Sequence, residues 1–425
     1  MSEEKKEEEY RLEKDQELRF EVEARATASL ELLDGMAEIF GTELTKGKKY
    51  LFESCSKVAV YTWHSCVVKL EGRTEVAYIA DGTPMTVYVN VHAALEQMRQ
   101  KADEERSRGP RVMVVGPTDV GKSTLCRLLL NYAARLDRAS VYVDLDVGQG
   151  EVSIPGTIGA AVVERPAEIE EGYSLNAPLV FHYGHTSPSS NYPLFKMLVS
   201  RMAECVNKKT EKSKKCNVSG CIINTGGWIK GAGYDSLKHI AGSFEVDVIL
   251  VLGQERLYSE LKRDMPDFVN VILLPKSGGV VERNQHQRSD FRDQKVREYF
   301  YGPKKNGDDS FFPHPTEVSY NDIKLYKIGA PALPDSMLPL GMKKEDNKTK
   351  LVPLQPGTNI LHHVFSVSTA KSIEDAVLEC NVYGHVVISG IDPDKQTATV
   401  LSPSPEKLPS SILLLMDMQF MDIDI

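Results

Sequence analysis

The chain has 425 residues, a formal net charge of −9 and 41% hydrophobic residues. That length exceeds what one ordinary core organises and predicts two or three domains; the acidic balance excludes a surface coated in basic residues for long tracts of nucleic acid, so a nucleic-acid substrate needs a local basic site. The opening "MSEEKKEEEY" has no apolar segment, and no apolar run nears the roughly 18 residues that span a bilayer, so neither secretion nor a membrane is expected.

In chain order, residues 1–12 read as a charged, disordered tip. Residues 13–100 carry short alternating runs, "LRFEVEA", "KKYLFES", "KVAVYTWHSCVVKLEG" and "PMTVYVNV", that predict a small antiparallel β domain. "VHAALEQMRQKADEERSRGP" predicts a helix ending at Gly109-Pro110. A central domain over 105–312 alternates helical patterns with "RVMVVG", "SVYVDLD", "SGCIINT", "VDVILVLG" and "NVILLP", which means an α/β fold with a mainly parallel, doubly wound sheet. Within it "KKTEKSKK" (Lys208 to Lys215) reads as a solvated surface loop. Residues 313–425, with Pro clusters, "HVVISGIDPDKQTATVLSP" and "SILLLMDMQFMDI", predict a small β-rich domain. Seven cysteines lie scattered without a CxxC pair or a Cys/His cluster, which argues for a reducing compartment and against structural zinc.

The stretch "GPTDVGKST" (Gly116 to Thr124) matches G-x-x-x-x-G-K-[ST] between a strand pattern and a helix pattern, the context the motif requires. Gly116 and Gly121 permit backbone conformations that turn N–H groups of Asp119, Val120 and their neighbours toward phosphate oxygens at a helix N-terminus. Lys122 is placed to reach the β- and γ-phosphates and Ser123 to ligate magnesium, with Thr124 beside them in the nucleotide site. No Asn-Lys-x-Asp or Thr-Lys-x-Asp guanine motif is present, so ATP is expected rather than GTP.

Four further loops fall where ligands of a doubly wound sheet collect. "VYVDLDVGQG" carries Asp144 and Asp146 at period two; Asp146, nearer the carboxyl end and followed by Gln149, is the better placed for magnesium or a hydroxyl proton. In "NTGGWIKGAGY", Trp228 is open to two readings, core or a platform on which a base stacks. "HYGHTSPSSN" offers Thr186 and Ser187, as a phosphate-holding loop or an ordinary turn. "LPKSGGVVER" leads into "VERNQHQRSDFRDQKVREYFYG", where Arg283, Arg288, Arg292 and Arg297 interleave with carboxylates and aromatics. A carboxylate near an acceptor hydroxyl, with cations closing over a transferring phosphoryl group, is what a kinase demands.

Together "GPTDVGKST", "DLDVGQG", "INTGGWIKGAGY", "PKSGGVVER" and "VLSPSPEKLP" resemble the eukaryotic polyribonucleotide 5′-hydroxyl kinase family that includes the cleavage and polyadenylation factor subunit, across almost the whole chain. The resemblance implies a P-loop kinase domain flanked by an N-terminal β domain and a small C-terminal domain. It implies transfer of the ATP γ-phosphate to the 5′-hydroxyl of RNA, in the nucleus, with partners in mRNA 3′-end formation and tRNA splicing. By the same resemblance Lys122 and Ser123 serve ATP and Mg2+, Asp146 activates the hydroxyl, and Trp228 stacks on the terminal base, with Gln149 and Thr186 beside the substrate. Arg283 and Arg288 form a lid, and Glu17 and Lys57 contact adenine. An ATP-loaded scaffold without turnover is the competing expectation.

Overall fold

The computed structural model describes residues 7–303, 309–330 and 346–421. The N-terminal part is two antiparallel sheets, one of four strands and one of five. Alternation makes them: in Ala28–Gly35, Ala28, Leu30 and Leu32 are buried while the residues between them are not. These side chains meet Leu18, Phe20, Val60 and Val68 in one apolar layer between the sheets.

Two expectations for this region are corrected. The charged tip is a strand from Glu7: Glu7–Leu12 pairs antiparallel with Cys66–Gly72, Leu12 is fully buried, and Lys69 meets the Glu7 carboxylate, so the ladder and one apolar anchor offset the like charges. Residues 1–6 of that expected tip lie outside the described residues. "PMTVYVNV" is not a strand but the start of a helix, Met85–Glu105. Its β-branched residues suit either state, but Met85, Tyr88, Val91 and Leu95 recur at helical spacing and pack on Leu125, Leu128 and Leu129.

The central sheet runs Leu179–His182, Thr157–Val163, Ser140–Asp144, Cys221–Asn224, Arg111–Val115, Val248–Leu252, Asn270–Leu274. The last five are the five strands expected, all parallel. Four of them, Ser140–Asp144, Cys221–Asn224, Arg111–Val115 and Val248–Leu252, are buried throughout, as strands covered by helices on both faces must be. Thr157–Val163 and Leu179–His182 were not expected and add antiparallel at one edge. "TIGAAVV" is rich in small residues and "LVFH" is four residues long, so neither carries a strong local pattern.

"KKTEKSKK" is helical rather than a loop: it ends the helix Tyr192–Lys212 and begins Lys214–Ser219. The stripe Leu194, Leu198, Met202, Val206, Thr210 carries the helix through it, and Lys209 and Lys212 sit in the last turn, where cations favour the helix dipole.

The C-terminal part is a seven-stranded sheet around Phe365, Ile388, Val400 and Leu413. It is joined to the central part by a second apolar cluster in which Ile154, Val296 and Phe300 meet Val364, Met416 and Met418. No helix among the described residues is long and apolar enough to cross a membrane, and the seven cysteines are free.

Candidate active site

The carboxyl ends of the parallel strands open into a cleft of about 750 Å3, bounded on the other side by the N-terminal sheets. The phosphate-binding loop forms its floor. Gly116 has φ +155°, and a Cβ there would stand 2.6 Å from the Leu252 carbonyl; Gly121, at φ +88°, begins the helix Lys122–Arg135. Both positions therefore require glycine. Lys122 is buried, its ammonium donating to the Pro117 carbonyl at 2.6 Å. Burial pulls its pKa below the usual lysine range, against the opposing pull of the Asp146 carboxylate.

Asp144 and Asp146 differ in role because they differ in place. Asp144 is the last residue of its strand and fully enclosed; Asp146 lies in the turn beyond, on the cleft, so the two are not on one strand face as period two predicts. Asp144 Oδ1 accepts the Asp146 N–H at 3.1 Å and the Asn224 amide at 3.1 Å, and Oδ2 accepts the Glu151 N–H at 2.6 Å. Burial, with the neighbouring Asp146 charge, pushes its carboxyl up to about 7. The same Asn224 amide donates to Ser123 Oγ at 3.2 Å, so the hydroxyl that would meet a metal is oriented from the adjacent strand. Asp146 Oδ1 accepts the N–H groups of Gly148 and Gln149 at 3.0 and 3.2 Å, which fixes the carboxylate toward the cleft.

The arginine segment is a helix, Gln285–Tyr301, whose capping box at Asn284 sets its first turn over the loop. Arg288 donates to Asp119 Oδ2 at 2.6 Å, and the Arg283 backbone N–H donates to the same oxygen at 3.0 Å. Burial opposes the charge on Asp119, but these two donors outweigh it and hold the carboxyl below its usual range. Arg288 Nε is buried without a hydrogen-bond partner among the described residues. The Arg283 guanidinium donates to Gln149 Oε1 at 3.2 Å and lies 5.2 Å from the Phe291 ring centre.

Across the cleft, Trp228 is half-buried and meets Tyr192 edge to face, with ring centres 5.6 Å apart at 89°. It lines the cleft with Thr186, and is not a core residue. Its approach depends on Gly227, where a Cβ would stand 2.4 Å from the Thr118 side chain. From the N-terminal sheets, Lys57 lines the cleft while paired with Glu21 at 2.9 Å. Glu17 lines an adjoining recess of about 50 Å3 with Phe40, Tyr88, Leu125 and Val280; its carboxylate accepts from Arg19 at 2.5 Å and Thr83 at 2.6 Å.

The three parts of the chain each match a family model. Residues 11–102 match one described as "N-terminal beta-sandwich domain of polyadenylation factor", 116–302 one described as "mRNA cleavage and polyadenylation factor CLP1 P-loop", and 311–422 one described as "Pre-mRNA cleavage complex II protein Clp1". The chain belongs to the Clp1 family. Curated Clp1 relatives named "Polyribonucleotide 5'-hydroxyl-kinase Clp1" are 58% identical in Homo sapiens and Gallus gallus over 414 residues, covering 97% of this chain and 96% of each relative. The Danio rerio protein of that name is 55% identical, covering 97% and 94%. Two solved Clp1 structures share the fold: one titled "Structure of wild-type Clp1p-Pcf11p (454 -563) complex" has a TM-score of 0.84 at 23% identity, covering 98% of this chain and 99% of that one. A second, on the interface between Pcf11p and Clp1p and ATP loss in a Gly135Arg mutant, has a TM-score of 0.85 at 22% identity, covering 99% and 100%.

The Clp1 fold here brings Lys57, Asp119, Val120, Gly121, Lys122, Ser123, Thr124, Asp146, Gln149, Thr186, Trp228, Arg283 and Arg288 to one cleft. Gly116 supports the loop from beneath, and Glu17 stands at the adjoining recess. Sequence reasoning missed Arg19, Asn224 and Tyr192. Arg19 packs under the 278–279 glycine pair, where a Cβ on Gly279 would stand 2.9 Å from its side chain. Its signal was present, since alternation in "ELRFEV" sets Glu17, Arg19 and Glu21 on one face. Asn224 and Tyr192 had none, because an asparagine ending a strand and a tyrosine opening a helix are ordinary.

Proposed function

We propose that the protein is an ATP-dependent polynucleotide kinase that phosphorylates the 5′-hydroxyl end of RNA, acting in the nucleus in mRNA 3′-end processing and tRNA splicing. The observation that carries the reading is the convergence, in one cleft, of a phosphate-binding loop, a carboxylate held toward open space, two arginines and a half-buried indole. A protein that only held ATP could use Asp146 for magnesium, but would have no use for a half-buried indole and a second arginine, Trp228 and Arg283, on the same cleft. The kinase name of the Clp1 relatives supports the same reading.

The residues fit the groups this activity uses. The loop is a cradle that a Cβ at Gly116 would spoil, and Ser123 Oγ and the Asp146 carboxylate are hard oxygen donors. Among the described residues no group of three or more His, Cys, Asp or Glu is gathered as a metal cage, whereas Mg2+ is usually held by one or two carboxylates plus substrate phosphates. Magnesium, when bound with ATP, supplies positive charge to the β- and γ-phosphates.

Lys122 offers its ammonium to those phosphates, and the loop's N–H groups hold them. Trp228 presents a ring face for the terminal base of RNA, and Asp146 accepts the proton of the 5′-hydroxyl as that oxygen attacks. Arg288, with a spare buried donor, and Arg283 stabilise the charge of the transferring phosphoryl group. Glu17 and Lys57 bound the end of the cleft assigned to adenine.

A second reading, an ATP-bound non-catalytic subunit of an RNA-processing assembly, is supported by the solved relatives, in which Clp1p is described together with Pcf11p. Incubation with labelled ATP and a 5′-hydroxyl RNA oligonucleotide separates the two. Label on the RNA supports the kinase; nucleotide bound without transfer supports the scaffold.

A further inference from the structure

The elements on the acceptor side of the cleft reach one residue of the C-terminal sheet. His385 Nε2 is 3.2 Å from Ser153 Oγ, in the loop that also carries Asp146 and Gln149. His385 Nδ1 is 3.2 Å from Ser366 Oγ, which is 2.8 Å from His182 Nδ1, at the end of the strand that leads into the Thr186 loop. The His385 backbone N–H donates at 2.9 Å to the hydroxyl of Tyr299, on the helix that carries Arg288. The Tyr299 and His385 rings meet at 5.3 Å and 71°. Close approach requires Gly384, where a Cβ would stand 2.6 Å from the Tyr299 oxygen.

We propose that His385 is a positioning residue: it sets the Asp146–Gln149 loop, the Thr186 loop and the arginine helix in mutual register for phosphoryl transfer to the acceptor. This rests on the kinase reading. His182, Ser366 and His385 are all buried, and burial pushes both imidazoles down to about 3, so each is neutral near neutral pH, with one N–H and one lone pair. Ser153, His385, Ser366 and His182 therefore form one hydrogen-bonded chain that ends at His182, whose Nε2 is buried without a partner among the described residues. Shifting any arm orphans a buried polar atom, which costs more than the bond itself contributes. The neighbouring apolar contacts, including the stacked rings of Phe300 and Phe420, supply cohesion but tolerate sliding; hydrogen bonds with fixed directions do not.

The same domain grips the Thr186 loop a second time. The Asp417 N–H donates to the Gly184 carbonyl at 2.8 Å, and His185 pairs with the Asp417 carboxylate at 2.5 Å. Among the described residues, no C-terminal residue lines either the cleft or the small recess beside Glu17, so the C-terminal sheet acts only through the loops and helix it holds. The architecture thus divides labour: N-terminal residues border the nucleotide end, and the C-terminal sheet aligns the acceptor side.

The test uses the full chain with three substitutions. His385→Ala removes every side-chain arm, His385→Gln can still reach Ser153 but not Ser366, and His385→Asn can reach Ser366 but not Ser153. Two quantities are read: kcat for RNA phosphorylation against ATP affinity, and amide hydrogen exchange of residues 146–156, 183–191 and 285–292 against the helix Lys122–Arg135. His385→Ala is expected to lower kcat about 10- to 10²-fold with ATP affinity unchanged, as a misplacement of about 1 Å costs. Exchange should rise at all three acceptor segments but not at the helix. His385→Gln should protect 146–156 and His385→Asn 183–191. Unchanged kcat and exchange in a folded His385→Ala protein overturns the proposal, as does a uniform rise in exchange that includes the helix. If the wild-type chain transfers no phosphate, the kinase reading fails, and the exchange pattern alone decides whether His385 sets the register.

Discussion

Arg288 donates to the carboxylate of Asp119 at 2.6 Å, joining the arginine helix to a phosphate-binding loop 169 residues earlier in the chain. Asp119 has φ +55°, so the loop holds it in a left-handed conformation that presents the carboxylate toward that helix. The bond sets the guanidinium within the cleft and leaves Nε free of a protein partner among the described residues. Arg288→Ala is expected to slow turnover by about 10³ to 10⁵, the range for arginines that stabilise a phosphoryl group in flight, with a much smaller loss of ATP affinity. If steady-state kinetics show turnover preserved at saturating RNA and only RNA affinity reduced, the arginine binds substrate instead.

The Asp119 carboxyl is held below its usual range, so the sign of its contribution to stability follows directly. Ionised Asp119 stabilises the fold above its unfolded pKa of about 3.9, and the contribution is lost as pH falls through the depressed native value. Asp119→Asn should unfold at a lower temperature than wild type at neutral pH, with the gap closing in acid. Melting curves across that range check it; a gap that persists unchanged at low pH excludes the ion pair as its cause.

Lys122→Ala should abolish transfer and weaken ATP binding together, since the ammonium addresses the β- and γ-phosphates. Gly116→Ala should weaken ATP binding by a different route. A Cβ placed 2.6 Å from the Leu252 carbonyl displaces the loop without altering its charge. Nucleotide titration reads both, and normal affinity in either variant contradicts the cradle.

Asp146→Asn keeps shape but cannot accept the hydroxyl proton. ATP and RNA binding should persist while transfer falls by orders of magnitude, part of the loss belonging to a weakened magnesium shell. Asp144→Asn should act differently, because Asp144 touches Asn224 and backbone rather than the cleft. Its expected effect is a disordered Ser123 hydroxyl, seen as a higher Mg2+ requirement. Near-normal transfer in Asp146→Asn moves the proton acceptor elsewhere.

Glu17→Gln and Lys57→Ala probe the nucleotide end. Each should weaken ATP more than it weakens inorganic triphosphate, since neither lines the loop that holds the phosphates. Equal losses for both ligands, measured by titration, would remove the two residues from the adenine site.

The sequence by itself determined the chemistry that depends on neighbours along the chain. The phosphate-binding loop, its flanking strand and helix, and the five parallel strands were legible because short-range spacing produces them: glycines at fixed offsets and apolar runs bounded by turns. Where local pattern was ambiguous, tertiary structure decided. "PMTVYVNV" became helix because its apolar face found the phosphate-loop helix, and the Glu7 strand formed because Leu12 found a core. Tertiary structure alone also gave the two aspartates their separate places, burying Asp144 among Asn224 and Glu151 while leaving Asp146 on the cleft. Long-range pairs such as Asp119 with Arg288 and His182 with Ser366 leave no trace in spacing, since hydrogen bonds between distant segments depend on how whole domains pack rather than on any periodicity in the chain.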